Sequence, residues 1–387
     1  MTMALRWLVL GLPAVVALQS QPFQTSIMGS AADQEASVQG LQATSSNRSN
    51  GDIIDKIVFL KLHNVGSSTM TGILHRYCEF HSKTCYVLPG RLVPGLGIRR
   101  PTLSKEDIRG QLPVFKSPNV PPLDIFAEHQ VMEPTLLDDL VPGNFKISFF
   151  RDPLDRHMSG LRHFADYNKT SGIFEELTQS LQQNIEVHDC SFPVMSTQIM
   201  PDQVDELDYV MLQEEYDTSL MMLRRTLGWP MFDMMYRSIK SEHTEAVLNA
   251  SDTFLAYISQ PAESLNEATN SYLQHCAGQT EQALYSAAKA KFQHQWESFT
   301  AEEQQQIQED TATFLAAKAS LEACCEAHPA DTYCVGAVED SIEWMERYQS
   351  QGYFYTSRRM NGETVETPIT QESTCMSVVK AALFAKR

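Results

Sequence analysis

Two short runs of this sequence combine backbone and side chains that can grip an anion. The first, FLKLHNVGSSTM (residues 59–70), is apolar until it reaches a small, hydroxyl-rich turn, and then takes up helical spacing. The first N–H groups of a helix have no partner inside it, so strand, small-residue loop and helix in succession make a phosphate site. The Gly-x-x-x-x-Gly-Lys-Ser/Thr spacing of nucleotide hydrolases is missing, which argues against a nucleotide kinase. Backbone amides and the hydroxyls of Ser67, Ser68 and Thr69 remain as donors. The second run, ISFFRDPLDRHMSGLRHF (147–164), sets Arg151 directly after an apolar strand, with Ser159 two turns along the helix that follows. A guanidinium forks two hydrogen bonds to a phosphate. Together the two turns can hold two separate phosphate groups of one nucleotide.

Such turns need rigid elements behind them. IIDKIVFLKL (53–62) and FKISFF (145–150) are near-continuous apolar runs of strand length, as buried parallel strands are. LDYVMLQEEY (207–216) is a third strand, and DIFAEHQV (124–131) contains a short one. Helices follow three of them. Met70, Ile73, Leu74, Tyr77 and Cys78 share one face, as do Leu154, Met158, Leu161 and Phe164. Pro153 suits a first turn and Asp152 its cap. DTSLMMLRRTLGW (217–229) is a third helix, whose methionines read as core, and from about Glu263 the pattern is helical. Residues 86–122, rich in Pro and Gly, read as an irregular excursion beside a cleft. The expected architecture is α/β: a three-layer domain over 53–299 around a mostly parallel sheet, with a helical, Cys-containing extension over 300–387. In open sheets of this kind ligands bind at the carboxyl edge of the strands.

The chain has 387 residues and a formal net charge of −18, from 30 Lys plus Arg against 48 Asp plus Glu. That balance repels nucleic acid and leaves an anion site dependent on a few local cations and amides. Residues 1–20 carry one early cation, Arg6, and an apolar stretch from Trp7 to Leu18, which fits a cleaved signal peptide or a short signal-anchor. Residues 21–52 read as a flexible stem. Asn47, Asn168 and Asn249 are glycosylation acceptors by pattern, and the eight cysteines form an even set suited to an oxidising lumen. Disulfides are expected, with the pairing open.

FLKLHNVGSST resembles the 5′-phosphosulfate loop of the galactose 3-O-sulfotransferases, close to F-L-K-T-H-K-T-G/A-S/G-S-T, and ISFFRDPLDRHMSGLRHF resembles their 3′-phosphate motif. LDYVMLQEEYDTSLMMLRRTLGW and, more loosely, EQALYSAAKAKF are similar to later segments of this galactosylceramide sulfotransferase-like family, in the same order over about residues 53 to 295. The resemblance implies a three-layer, P-loop-like sulfotransferase fold, with sulfuryl transferred from 3′-phosphoadenosine-5′-phosphosulfate (PAPS) to a galactose hydroxyl, the 3-OH, of a glycolipid or glycan in the Golgi lumen, without a metal. It also implies that Asn64, Gly66, Ser67, Ser68 and Thr69 line the 5′-phosphosulfate, that Arg151 and Ser159 bind the 3′-phosphate, and that His129 is the base. His63 is the alternative base, and Lys61 reaches toward the phosphate or is a plain strand-edge lysine. Where the family has its second loop lysine this chain has Asn64. A lost cation at the leaving phosphate costs roughly 3 kcal/mol of transition-state stabilisation. A sulfotransferase-fold binding protein that has lost the chemistry is therefore the alternative.

Other groups point less clearly. Cys324, Cys325, His328 and Cys334 suggest zinc only weakly, because no Cys-x-x-Cys pair is present, and disulfides or buried thiols are the preferred reading. Arg156, His157, Arg162 and His163 share a helix and read as an exposed basic face, with a role in acceptor binding as the alternative. Glu214, Glu215 and Tyr216 follow a strand and either contact a sugar or are ordinary surface residues.

Overall fold

The structure, a computed structural model, describes residues 53–86, 91–93, 97–99, 103–111, 122–153, 155–156, 159, 195–237, 278–334 and 373–384. The N-terminal segment, the stem, the three glycosylation acceptors, Cys190, Cys276, His157, Arg162 and His163 lie outside them, as do Leu154, Met158, Leu161 and Phe164.

Five strands form one sheet: β1 (Ile57–Leu60), β2 (Cys85–Tyr86), β5 (Ile125–Phe126), β6 (Phe145–Phe150) and β7 (Tyr209–Leu212). Their order is β2-β5-β1-β6-β7, and every pairing is parallel. β1 and β7 are buried at every position, which is why they read as unbroken apolar runs. β3 (Arg91–Val93) and β4 (Gly97–Arg99) pair as a separate antiparallel hairpin, and α2 (Lys105–Gln111) follows. The expected irregular excursion thus contains regular elements, because a hairpin needs only a turn and its own ladder.

Helix α1 (Ser67–Phe80) returns the chain from β1 to β2, and Met70, Ile73, Leu74, Tyr77 and Cys78 are all buried. The Cys78–Cys85 disulfide joins α1 to β2. α3 (Pro134–Leu140) precedes β6, and α4 (Tyr216–Leu227) follows β7 and ends on Gly228. Met221 and Met222 are core residues, as expected. α5 (Gly278–Glu297), α6 (Ala301–Ala327) and α7 (Thr374–Phe384) complete the described chain. α6 starts in a capping box formed by Thr300 and Glu303. It ties to α4 through the Arg224–Asp310 and Arg225–Glu303 ion pairs at 2.7 and 2.9 Å.

The cysteine readings resolve in favour of disulfides: Cys324 pairs with Cys375 and Cys325 with Cys334, joining α6 to α7 and to the helical residues 332–334 that follow it. Cys325, Cys334 and Cys375 place their sulfurs within 4.8 Å of one another, but each sulfur is already bonded. Among the described residues, no helix is long and apolar enough to cross a membrane.

Candidate functional site

From β1 the chain proceeds through α1 to β2, on one side of β1 in the sheet; from β6 it proceeds to β7 on the other side. β1 and β6 are neighbours, so their outgoing connections diverge from the same point, where open α/β sheets form a crevice. Both of the turns singled out in the sequence lie at this point. Arg151 Nη1 approaches the Asn64 carbonyl at 3.5 Å, which brings the guanidinium-bearing turn alongside the amide-bearing one.

Local sequence explains the shape of the first turn. Asn64 has φ 61° and Gly66 φ 79°, two left-handed residues within three, and Asn and Gly are the residues that tolerate this region. An alanine at 66 would also bring its Cβ within 2.9 Å of Tyr216 Cε2. Gly66 caps α1 without any side-chain hydrogen bond to the helix start, so the first amides of α1 are available to an anion. The Ser67 hydroxyl is spoken for: it donates to the Leu62 carbonyl at 2.7 Å and closes the loop from within. Its expected contribution as a hydroxyl donor shifts to its backbone amide. Ser68 and Thr69 stand half-buried at the helix start.

The second turn follows its expected plan. Asp152 Oδ1 accepts the Asp155 N–H at 3.3 Å, and the Asp152 carbonyl accepts from Arg156 N at 2.8 Å, so Asp152 does cap the helix. Ser159 is helical and half-buried. Arg156, expected on an exposed basic face, is instead buried: its guanidinium lies 3.6 Å from Glu281 on α5, a carboxylate that also accepts the Ser196 N–H at 2.6 Å. A sequence window shows helical position but not which face a distant helix will cover.

The histidines come together. The rings of His63 and His129 stack at 3.8 Å and 10°. His129 Nδ1 lies 2.7 Å from the Lys61 carbonyl. A carbonyl only accepts, so Nδ1 carries the proton and Nε2 is left as the basic nitrogen. Lys61 itself is 1% exposed, so its side chain is buried where β1 ends. Its carbonyl also accepts from Gln198 Nε2 at 2.9 Å, and Gln198 reaches on to the Gln130 carbonyl. Gln198 and Gln130 fix the backbone around the histidine pair. Nothing marked Gln198 beforehand, for it lies in an aperiodic stretch 137 residues from its partner.

A third turn enters the site. Tyr216, at the start of α4, donates to the Gly66 carbonyl at 3.3 Å and stacks on Phe149 of β6 at 4.5 Å. Burial, then the charge of Asp217, pushes its hydroxyl up, which keeps it a donor. The signal for it was available: LDYVMLQEEY reads as a strand, and in a parallel sheet the turn that leaves it falls at the same edge as the other two.

Comparison of the chain with protein-family models, with curated proteins and with solved structures gives no match.

Proposed function

We propose that the chain is a PAPS-dependent sulfotransferase of the galactose 3-O type with the three-layer, P-loop-like fold of that family, acting in the secretory pathway on a galactose-terminated glycolipid or glycan. The observation that carries this reading is the approach of Arg151 to the Asn64 carbonyl at 3.5 Å, which sets two anion-binding turns side by side at the divergence of β1 and β6. The donor set suits a nucleotide with two phosphate groups: free helix amides on one turn, a guanidinium and Ser159 on the other.

The donor nucleotide supplies the sulfuryl group when bound. The chain's residues divide the remaining work. The amides of Ser67, Ser68 and Thr69 offer hydrogen bonds to the 5′ side, and Arg151 with Ser159 binds the 3′-phosphate. His129 Nε2 takes the proton of the acceptor hydroxyl, its tautomer held by the Lys61 carbonyl. His63 braces that ring by stacking. The N-terminal segment, if uncleaved, anchors the protein to the membrane.

Calorimetric titration with 3′-phosphoadenosine-5′-phosphate tests the reading without a guess at the acceptor. Wild-type protein binds, and Arg151→Ala weakens binding by roughly 10- to 100-fold, the worth of a charge-assisted hydrogen bond or two. No binding by folded wild-type protein refutes the assignment.

A second reading, binding without transfer, rests on Asn64. Its left-handed backbone makes asparagine a natural occupant, and the cation found there in the family is missing. Sulfate transfer to a galactoside despite Asn64 supports the enzyme; nucleotide binding with no transfer supports the binder.

A further inference from the structure

β7 ends in the turn Gln213–Glu215, and α4 begins at Tyr216. This segment belongs to neither anion-binding turn, yet it bonds to both. Glu214 Oε1 accepts the Asp152 N–H at 2.6 Å, one residue past Arg151. Tyr216 donates to the Gly66 carbonyl and lays its ring against Phe149, two residues before Arg151. Behind it, Tyr236 packs edge-on against the Tyr216 ring at 5.4 Å and receives Lys318 of α6 at 2.7 Å.

From this clasp we infer that Glu214 and Tyr216 are positioning residues that fix the spacing between the two phosphate subsites, and so set the preference for a nucleotide with both 5′- and 3′-phosphates over one with the 5′-phosphate alone. The inference rests on the proposed nucleotide reading and deepens it. Two subsites on separate turns reward a ligand that spans them only if their separation is already held before binding. Otherwise the ordering of the turns offsets the second contact. Glu214 acts through the Asp152 amide, since a carboxylate placed directly on a phosphate repels it.

The test is titration of the full chain with 3′-phosphoadenosine-5′-phosphate and with adenosine 5′-phosphate, for wild type, Tyr216→Phe, Glu214→Ala and Glu214→Gln. The affinity ratio of the two nucleotides falls roughly tenfold in Tyr216→Phe and Glu214→Ala, as the loss of one ordering hydrogen bond predicts. Glu214→Gln, whose amide oxygen still accepts the Asp152 N–H, keeps the wild-type ratio. If the variants weaken both nucleotides alike, the residues only support the fold and the inference is overturned while the nucleotide reading stands. If wild type binds neither nucleotide, the nucleotide reading falls and takes the inference with it.

Discussion

The carboxyl edge of the sheet and the C-terminal helix pair are held by different means. At the sheet edge, side chains reach main-chain groups across the chain: Arg151 to Asn64, Tyr216 to Gly66, His129 and Gln198 to Lys61. In the C-terminal pair, disulfides hold the helices, and Asp331 accepts the Tyr333 and Cys375 N–H groups at 3.0 and 3.2 Å. Burial accounts for the difference. The turns follow β1, β6 and β7, buried at every position but Lys146, so the strands supply the stability and the turns need only orientation. α6 runs for 27 residues and buries only Ile307, Phe314, Ala317, Leu321 and Cys325, too thin a stripe to hold a partner helix by apolar contact alone.

Breaking the covalent side should have the largest effect on stability and the smallest on binding. Replacing Cys324 and Cys375 by serine opens a 51-residue separation and lowers stability by about 4 kcal/mol on the chain-entropy account, read as a fall in chemical denaturation midpoint, with nucleotide affinity unchanged. Next comes the buried pair behind the second turn. Arg156→Met leaves Glu281 charged and buried and costs roughly 3 kcal/mol, and the double change Arg156→Met with Glu281→Leu recovers most of it. A double variant as unstable as the single one would show that Glu281 is not what Arg156 answers.

Gly66→Ala sharpens the comparison from the other side. The left-handed backbone and the 2.9 Å approach to Tyr216 predict about 2 kcal/mol of destabilisation, with nucleotide binding falling further than stability. His129→Ala separates binding from chemistry. Calorimetry should find the nucleotide bound as before, while sulfate transfer drops by roughly 100-fold or more. Full activity would remove His129 from the role of base.

The smallest effect is one of acidity. Burial pulls the Asp331 carboxyl up, but hydrogen bonds from Ser373 and from the Cys375, Tyr333 and Cys334 amides outweigh it and hold the group below its ordinary value. A depressed folded value contributes stability above the unfolded value, about pH 3.9, and loses it as pH falls through the folded one. Melting temperature should therefore drop on acidification below about pH 4 in wild type, and less steeply in Asp331→Asn.

Much of the fold was legible because its signals are local. FKISFF became β6 residue for residue, and Asp152 and Pro153 start their helix as their chemistry predicts. The apolar face of α1 is buried as its spacing requires. The site was legible in part. Its residue types and the two turns stood out, yet the Ser67 hydroxyl turned inward and Arg156 turned from surface to core. These misses share a cause: each depends on what a remote segment places alongside.

Periodicity and caps act over a few positions, and so β1, β5, β6 and β7 and the helix starts behind the two turns were set by the sequence alone, while β2 and the β3–β4 hairpin were not. The meeting of Gly66 with Tyr216, 150 residues apart, of Asn64 with Arg151, 87 apart, and of His129 with Lys61, 68 apart, was decided by strand order. Register in a parallel sheet joins segments that share no local signal, and only the packed sheet brings their ends to one edge.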